Sequence, residues 1–269
     1  MPTPSEKLHE LSRRNERPSL VEEAAAVVGF DLGARPEYGT SVNVTGIRSR
    51  AYTYSRRLDS RTVFARNHAY GLTGRAGAWD GAARPLTSAC RRIGRAAGIA
   101  PREIAAIDIL TDLGQTANQE ARGDDSEPTV LQRIAVARRV SDGLPVWSSY
   151  CSVALTRDAE IGEVEIHWPH LTDATVREAQ FLGELAQNWK PAPREGAKVE
   201  SVEAGIIHSP AIGFYMDTIP VIRVIHRSLE GQSRKAVDYL DRHGDSVTLP
   251  RGIDIEPDRS EPRPPSPRG

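Results

Sequence analysis

DGLPV, residues Asp142–Val146, has a near-copy further along the chain in DTIPV, residues Asp217–Val221. Each pentapeptide lies in a β-rich run that follows an amphipathic helical pattern. A turn comes next, Arg157–Gly162 in one case and Arg242–Asp245 in the other, then a last strand ending in Trp168-Pro169 or Leu249-Pro250. Matched order of this kind is the mark of an internal repeat. The expected fold is α+β: a tandem repeat of a helix packed on an antiparallel β-sheet, with an extra N-terminal helix and strands. The organisation that follows is a flexible N-terminus at 1–18, an N-terminal half at 19–170, a C-terminal half at 171–250 and a disordered, Pro- and charge-rich tail at 251–269.

Around the repeat, periodicity sets the elements. Ser19–Phe30 reads as a helix with Ser19 as its cap, and 41–70 alternates polar and apolar residues as two or three strands with a turn near Asp59-Ser60. The glycines of 71–85 lack the spacing of a phosphate cradle and read as a connector. A helix is expected from Pro85, with Leu86, Ala89, Cys90, Ile93 and Ala97 on its apolar stripe and Gly98 ending it. A second runs through 171–190, with Thr175 and Glu178 as capping box and Leu182, Leu185, Ala186 and Trp189 inward.

Composition narrows the function classes. The 269 residues carry a net charge of −1, which recommends neither nucleic acid nor a cationic partner. No secretory h-region and no run of 18 apolar residues is present, so the expectation is a cytoplasmic protein off the membrane. Cys90 and Cys151 alone make neither a disulfide framework nor a zinc site. Lys appears only at Lys7, Lys190, Lys198 and Lys235, an Arg-for-Lys skew that fits a GC-rich, for instance actinobacterial, genome.

The residues with chemistry to offer cluster in EVEIHWPH, Glu163–His170. A period of two puts Val164, Ile166 and Trp168 on one face and Glu163, Glu165 and His167 on the other. Neighbouring carboxylate and imidazole suit general acid/base work near neutrality, so Glu163, Glu165 and His167 are the catalytic candidates; the same stripe on an outer face would simply meet water. His167 and His170 are separated by Pro169 and lack metal-ligand spacing, so no metal and no cofactor is expected. Candidate ligand contacts are Tyr150, His208, Arg223, and Phe214 and Tyr215 in the Pro/Gly-interrupted stretch 208–217, which reads either as a lid or as a loop packed over the core.

SDGLPVWSSYCSVALTRDAEIGEVEIHW (Ser141–Trp168), together with AAGIAPREIAAI (Ala96–Ile107), resembles the PepSY type of domain. The likeness covers residues 84–168 and, less fully, 173–250. It implies a peptide- or propeptide-binding module, many of which are secreted or membrane-attached. Two functions follow as expectations. The first is a ligand- or peptide-binding accessory protein, serving a specialised-metabolite pathway, with a peptide or small apolar molecule as partner and homo-oligomerisation left open. The alternative is a cofactor-independent cyclase or isomerase using acid/base side chains in an apolar cavity.

Overall fold

The structure, a computed structural model, describes residues 37–40, 44–48, 52–57, 62–70, 78–114, 129–210, 216–229 and 235–247. The expected helix at 19–30, residues 71–77 of the Gly-rich connector, Phe214, Tyr215 and the tail from 251 lie outside the described residues.

Among the described residues, eleven strands form one sheet. They are β1 (Glu37–Thr40), β2 (Val44–Arg48), β3 (Tyr52–Arg57), β4 (Thr62–Asn67), β5 (Ile104–Gly114), β6 (Thr129–Ser141), β7 (Leu144–Leu155), β8 (Ile161–His167), β9 (Ala197–Pro210), β10 (Met216–Ser228) and β11 (Lys235–Leu240). Two helices are described, α1 (Ala83–Ala96) and α2 (Asp173–Asn188). The spatial order is β1-β2-β3-β4-β8-β7-β9-β10-β11, with β6 on β7 and β5 on β6. Among the described residues, no helix is long and apolar enough to cross a membrane.

This arrangement overturns the tandem repeat. A single mixed sheet runs through both supposed units, joined where Val146 of β7 pairs in parallel with Ile206 of β9. The matched pentapeptides are not equivalent points. Asp142 sits in the β6–β7 turn at φ 48° with Gly143 at φ 82°, the left-handed pair a tight hairpin needs. Asp217 lies inside β10, opposite Ser209. Val146 and Pro220 instead flank the same residue, Ile206, from either side. The likeness of DGLPV and DTIPV records strand alternation, which carries no information about which strands pair.

Packing explains the local elements. On α1, Leu86, Ala89, Cys90 and Ile93 are buried against Ala135, Ala137, Cys151, Val153, Val164 and Ile166, whereas Ala97 is exposed and Gly98, at φ 77°, follows the helix end. On α2 the cap is Thr172, whose Oγ1 accepts the Thr175 N–H at 3.1 Å, in place of the expected Thr175. Its buried face is Val176, Ala179, Leu182 and Ala186. Leu185 and Trp189, expected inside, are 43% and 37% exposed, because the helix turns that flank away from β9 and β10.

Candidate functional site: a buried histidine seam

A strand has two edges, and β7 uses them unequally. Its first edge carries β6: Leu144–Val146 pair with Arg139–Ser141, and Tyr150–Ala154 pair with Ile134–Arg138. Trp147, Ser148 and Ser149 fall in the register shift between those stretches and bulge out of the ladder. The second edge is shared. Antiparallel β8 takes Tyr150–Leu155, while parallel β9 meets Val146. The C-terminal ends of β8 and β9 therefore run toward each other along β7 and meet beside the bulge.

At that meeting point sits a chain of polar side chains. His167, the last residue of β8, follows Glu163 and Glu165 on the side of the strand away from the α1 core. His208 follows Ala204 and Ile206 on the side of β9 that packs α2. His167 Nε2 lies 2.9 Å from His208 Nδ1, the rings edge-on with centroids 4.7 Å apart. Ser148 Oγ is 2.7 Å from the same Nδ1 and accepts the His208 backbone N–H at 2.8 Å. His167 Nδ1 is 2.8 Å from Thr62 Oγ1, a residue of β4 directly opposite it.

The contacts are met when His208 carries its proton on Nδ1: that N–H donates toward His167 Nε2 and Ser148 Oγ, and His167 Nδ1–H donates to Thr62 Oγ1. Among the described residues His208 Nε2 has no hydrogen-bond partner, although the residue is wholly buried. Burial, with His167 and Arg139 nearby, pushes the His208 pKa down to about 3. A neutral imidazole in a dry setting neither holds a proton readily at neutral pH nor meets solvent. Ser148, 1% exposed, is equally sealed.

The other candidates are tied up in pairs. Arg66 Nε binds Glu163 Oε2 at 3.0 Å, and burial, opposed by Arg66 and reinforced by Glu165, raises the Glu163 pKa. Tyr150 hydrogen-bonds Glu165; burial first and then that carboxylate raise the phenol pKa. Tyr150 also lies beside His167, ring centroids 6.2 Å apart. The stripe Glu163–Glu165–His167 is thus neither an open wet face nor the lining of a described cavity. Arg223 is elsewhere: its guanidinium stacks 4.5 Å from the Trp147 ring centroid and reaches Glu203 Oε2 at 2.9 Å. His226 accepts the Arg194 backbone N–H at Nδ1 and meets Asp238 at Nε2, a buried histidine with partners on both nitrogens.

The structure thus brings Tyr150, Glu165, His167 and His208 together and leaves Arg223 apart. Sequence reading missed Ser148 and Thr62 as members of the seam. The parity of Ser148 with Tyr150 was visible, but its partner on β9 was not. Arg139 was missed as well: it is 8% exposed, donates to Pro169 O at 2.6 Å, meets Glu103 at 3.1 Å and stacks 5.1 Å from the Trp168 ring centroid. Trp168 is the core anchor expected, its indole N–H on Glu103 at 2.9 Å. Among the described residues, no group of three or more His, Cys, Asp or Glu side chains is placed to hold a metal ion.

Comparison with known proteins adds little. No family model matches the chain, and no curated protein matches it. A solved structure of an uncharacterized protein from Eubacterium rectale is similar at a TM-score of 0.45 and 12% identity, over 86% of this chain and 81% of that one.

Proposed function

We propose that the chain is a non-catalytic accessory protein that holds a peptide or a small apolar ligand on its surface. One observation carries this reading: the acid/base candidates are consumed by internal partners, whereas two open grooves lie elsewhere. One groove, of about 310 Å³, separates the β6–β7 hairpin (Gly143, Leu144, Pro145) from α2 and β9 (Gly183, Ala186, Val202). The other, of about 240 Å³, lies between α1 and β5. Shallow, mainly apolar walls suit binding by shape and backbone contact better than proton transfer. The peptide class also draws support from the resemblance of residues 84–168 to PepSY domains, without their tandem use. Free thiols at Cys90 and Cys151 suit a reducing cytoplasm.

The competing cyclase or isomerase reading needs Glu165 and His167 to face a substrate-sized cavity, and neither groove touches them. Panning a displayed random-peptide library against the immobilised chain tests the binding reading. Enrichment of a consensus is expected. A library that enriches nothing, together with loss of the chain's biological output in a Glu165→Gln/His167→Gln variant that still folds, would favour catalysis instead.

A further inference from the structure

We infer that the partner is an extended, acidic peptide segment that adds to the outer edge of β5, with α1 as the second wall. This rests on the binding reading above and narrows it to one surface and one chemistry. Among the described residues β5 pairs only with β6, and no described strand lies along its other edge. Such an edge beside a helix is the setting in which an extended peptide gains main-chain hydrogen bonds, with alternate side chains read by the helix.

The side chains around that edge select the occupant. Arg91 and Arg95, one helical turn apart on α1, line the groove together with Ile99, Pro101, Ile104 and Ile107. Both arginines are exposed, as are Arg92 and Arg102 close by. The α1 sequence ARPLTSACRRIGRA contains no acidic residue. The two acids of β5 are already engaged: Asp108 with Arg138 at 3.3 Å and Asp112 with the Gln132 amide at 3.3 Å. The groove therefore presents positive charge beside an apolar strip. Ile104 and Ile107 are only partly buried against the α1 core and keep surface toward the groove. The register shift between Ile104 and Ala106 leaves exposed Ala105 and Ala106 at the edge, small enough for another backbone to approach closely. A bound segment would place acidic side chains against Arg91 and Arg95 and apolar ones over Ile99, Ile104 and Ile107.

The probes are a fluorescein-labelled decapeptide alternating Glu with Val, the same peptide with Gln for Glu, and a labelled oligothymidine. Fluorescence anisotropy should show the Glu peptide binding about tenfold more tightly than the Gln peptide, and an Arg91→Glu/Arg95→Glu variant losing about that factor. Both arginines are exposed, so circular dichroism and the melting temperature of the variant should match the parent. Hydrogen exchange on adding the Glu peptide should slow in β5 and not in β11. Protection elsewhere, tighter binding of oligothymidine, or indifference to the charge reversal overturns the assignment. If panning yields a consensus that is not acidic or does not protect β5, this surface fails while the binding function stands. If panning yields nothing, peptide binding itself fails, and this surface with it.

Discussion

His167 and His208, forty-one positions apart in the chain, face each other at 2.9 Å across the seam where β8 and β9 run head-on along β7. The contact ties the strand that closes one part of the sheet to the strand that opens the next. Both rings are buried, at 7% and 0% exposure, so the hydrogen bonds are not exchanged for water in the folded state.

Removal of one ring is expected to be costly. His208→Ala leaves a cavity and strips Ser148 and His167 of a shared partner, a loss of about 2–4 kcal/mol. Urea unfolding of His167→Ala, His208→Ala and the double variant reads the coupling directly. Additive single effects would show that the two rings do not act together.

The same residue sets a pH dependence. The folded-state pKa of His208, about 3, lies below the ordinary 6.5 of an unfolded histidine, so between those values the unfolded chain binds the extra proton. The stability contribution is complete above pH 6.5 and is lost as the pH falls toward 3, with a slope approaching about 1.4 kcal/mol per pH unit. The His208 contribution to wild-type stability should fall by about 2 kcal/mol between pH 7 and 5. A His208→Gln variant should lose that component of the slope; an unchanged slope would assign it to other groups.

The close approach of β7 and β9 depends on a missing side chain. A Cβ at Gly205 would stand 2.6 Å from the Pro145 carbonyl oxygen and 2.7 Å from the Trp147 ring. Gly205→Ala should therefore push the strands apart and cost about 1–3 kcal/mol. Gly196→Ala has open space around it and pays only for its φ of 68°. The chemical-denaturation midpoints of the two variants should separate accordingly.

The corrected face of α2 is open to a direct comparison. Leu182→Ala removes a wholly buried side chain and should cost about 2–5 kcal/mol. Leu185→Gln, on the exposed flank, should change stability by no more than about 0.5 kcal/mol. Comparable losses for both would return Leu185 to the core.

The thiols give a kinetic readout of the α1 core. Cys90 donates to the Cys151 carbonyl at 3.4 Å, both residues are 1% exposed, and the neighbouring Cys90 thiol, then burial, pushes the Cys151 pKa up. Ellman's reagent should leave both thiols unreacted in the native protein and titrate both in denaturant. Rapid reaction of either thiol in native buffer would contradict this packing.

Periodicity alone determined much of the local structure. Alternation marked the strands within 41–70 and the parity of Glu163–His170 that buries Val164, Ile166 and Trp168 while turning Glu163, Glu165 and His167 the other way, and the stripe Leu86–Ile93 placed α1. Those are properties of a few neighbouring residues, and the backbone enforces them wherever the segment lies. The tertiary structure decided which strands pair. The likeness of DGLPV to DTIPV suggested two separate units, yet both strands flank Ile206 within one sheet. The head-on meeting of β8 and β9 and the joining of Ser148, His167, His208 and Thr62 rest on contacts between segments far apart in the chain. Pairing depends on long-range packing and on the three-residue bulge of β7, neither of which leaves a periodic trace in the sequence.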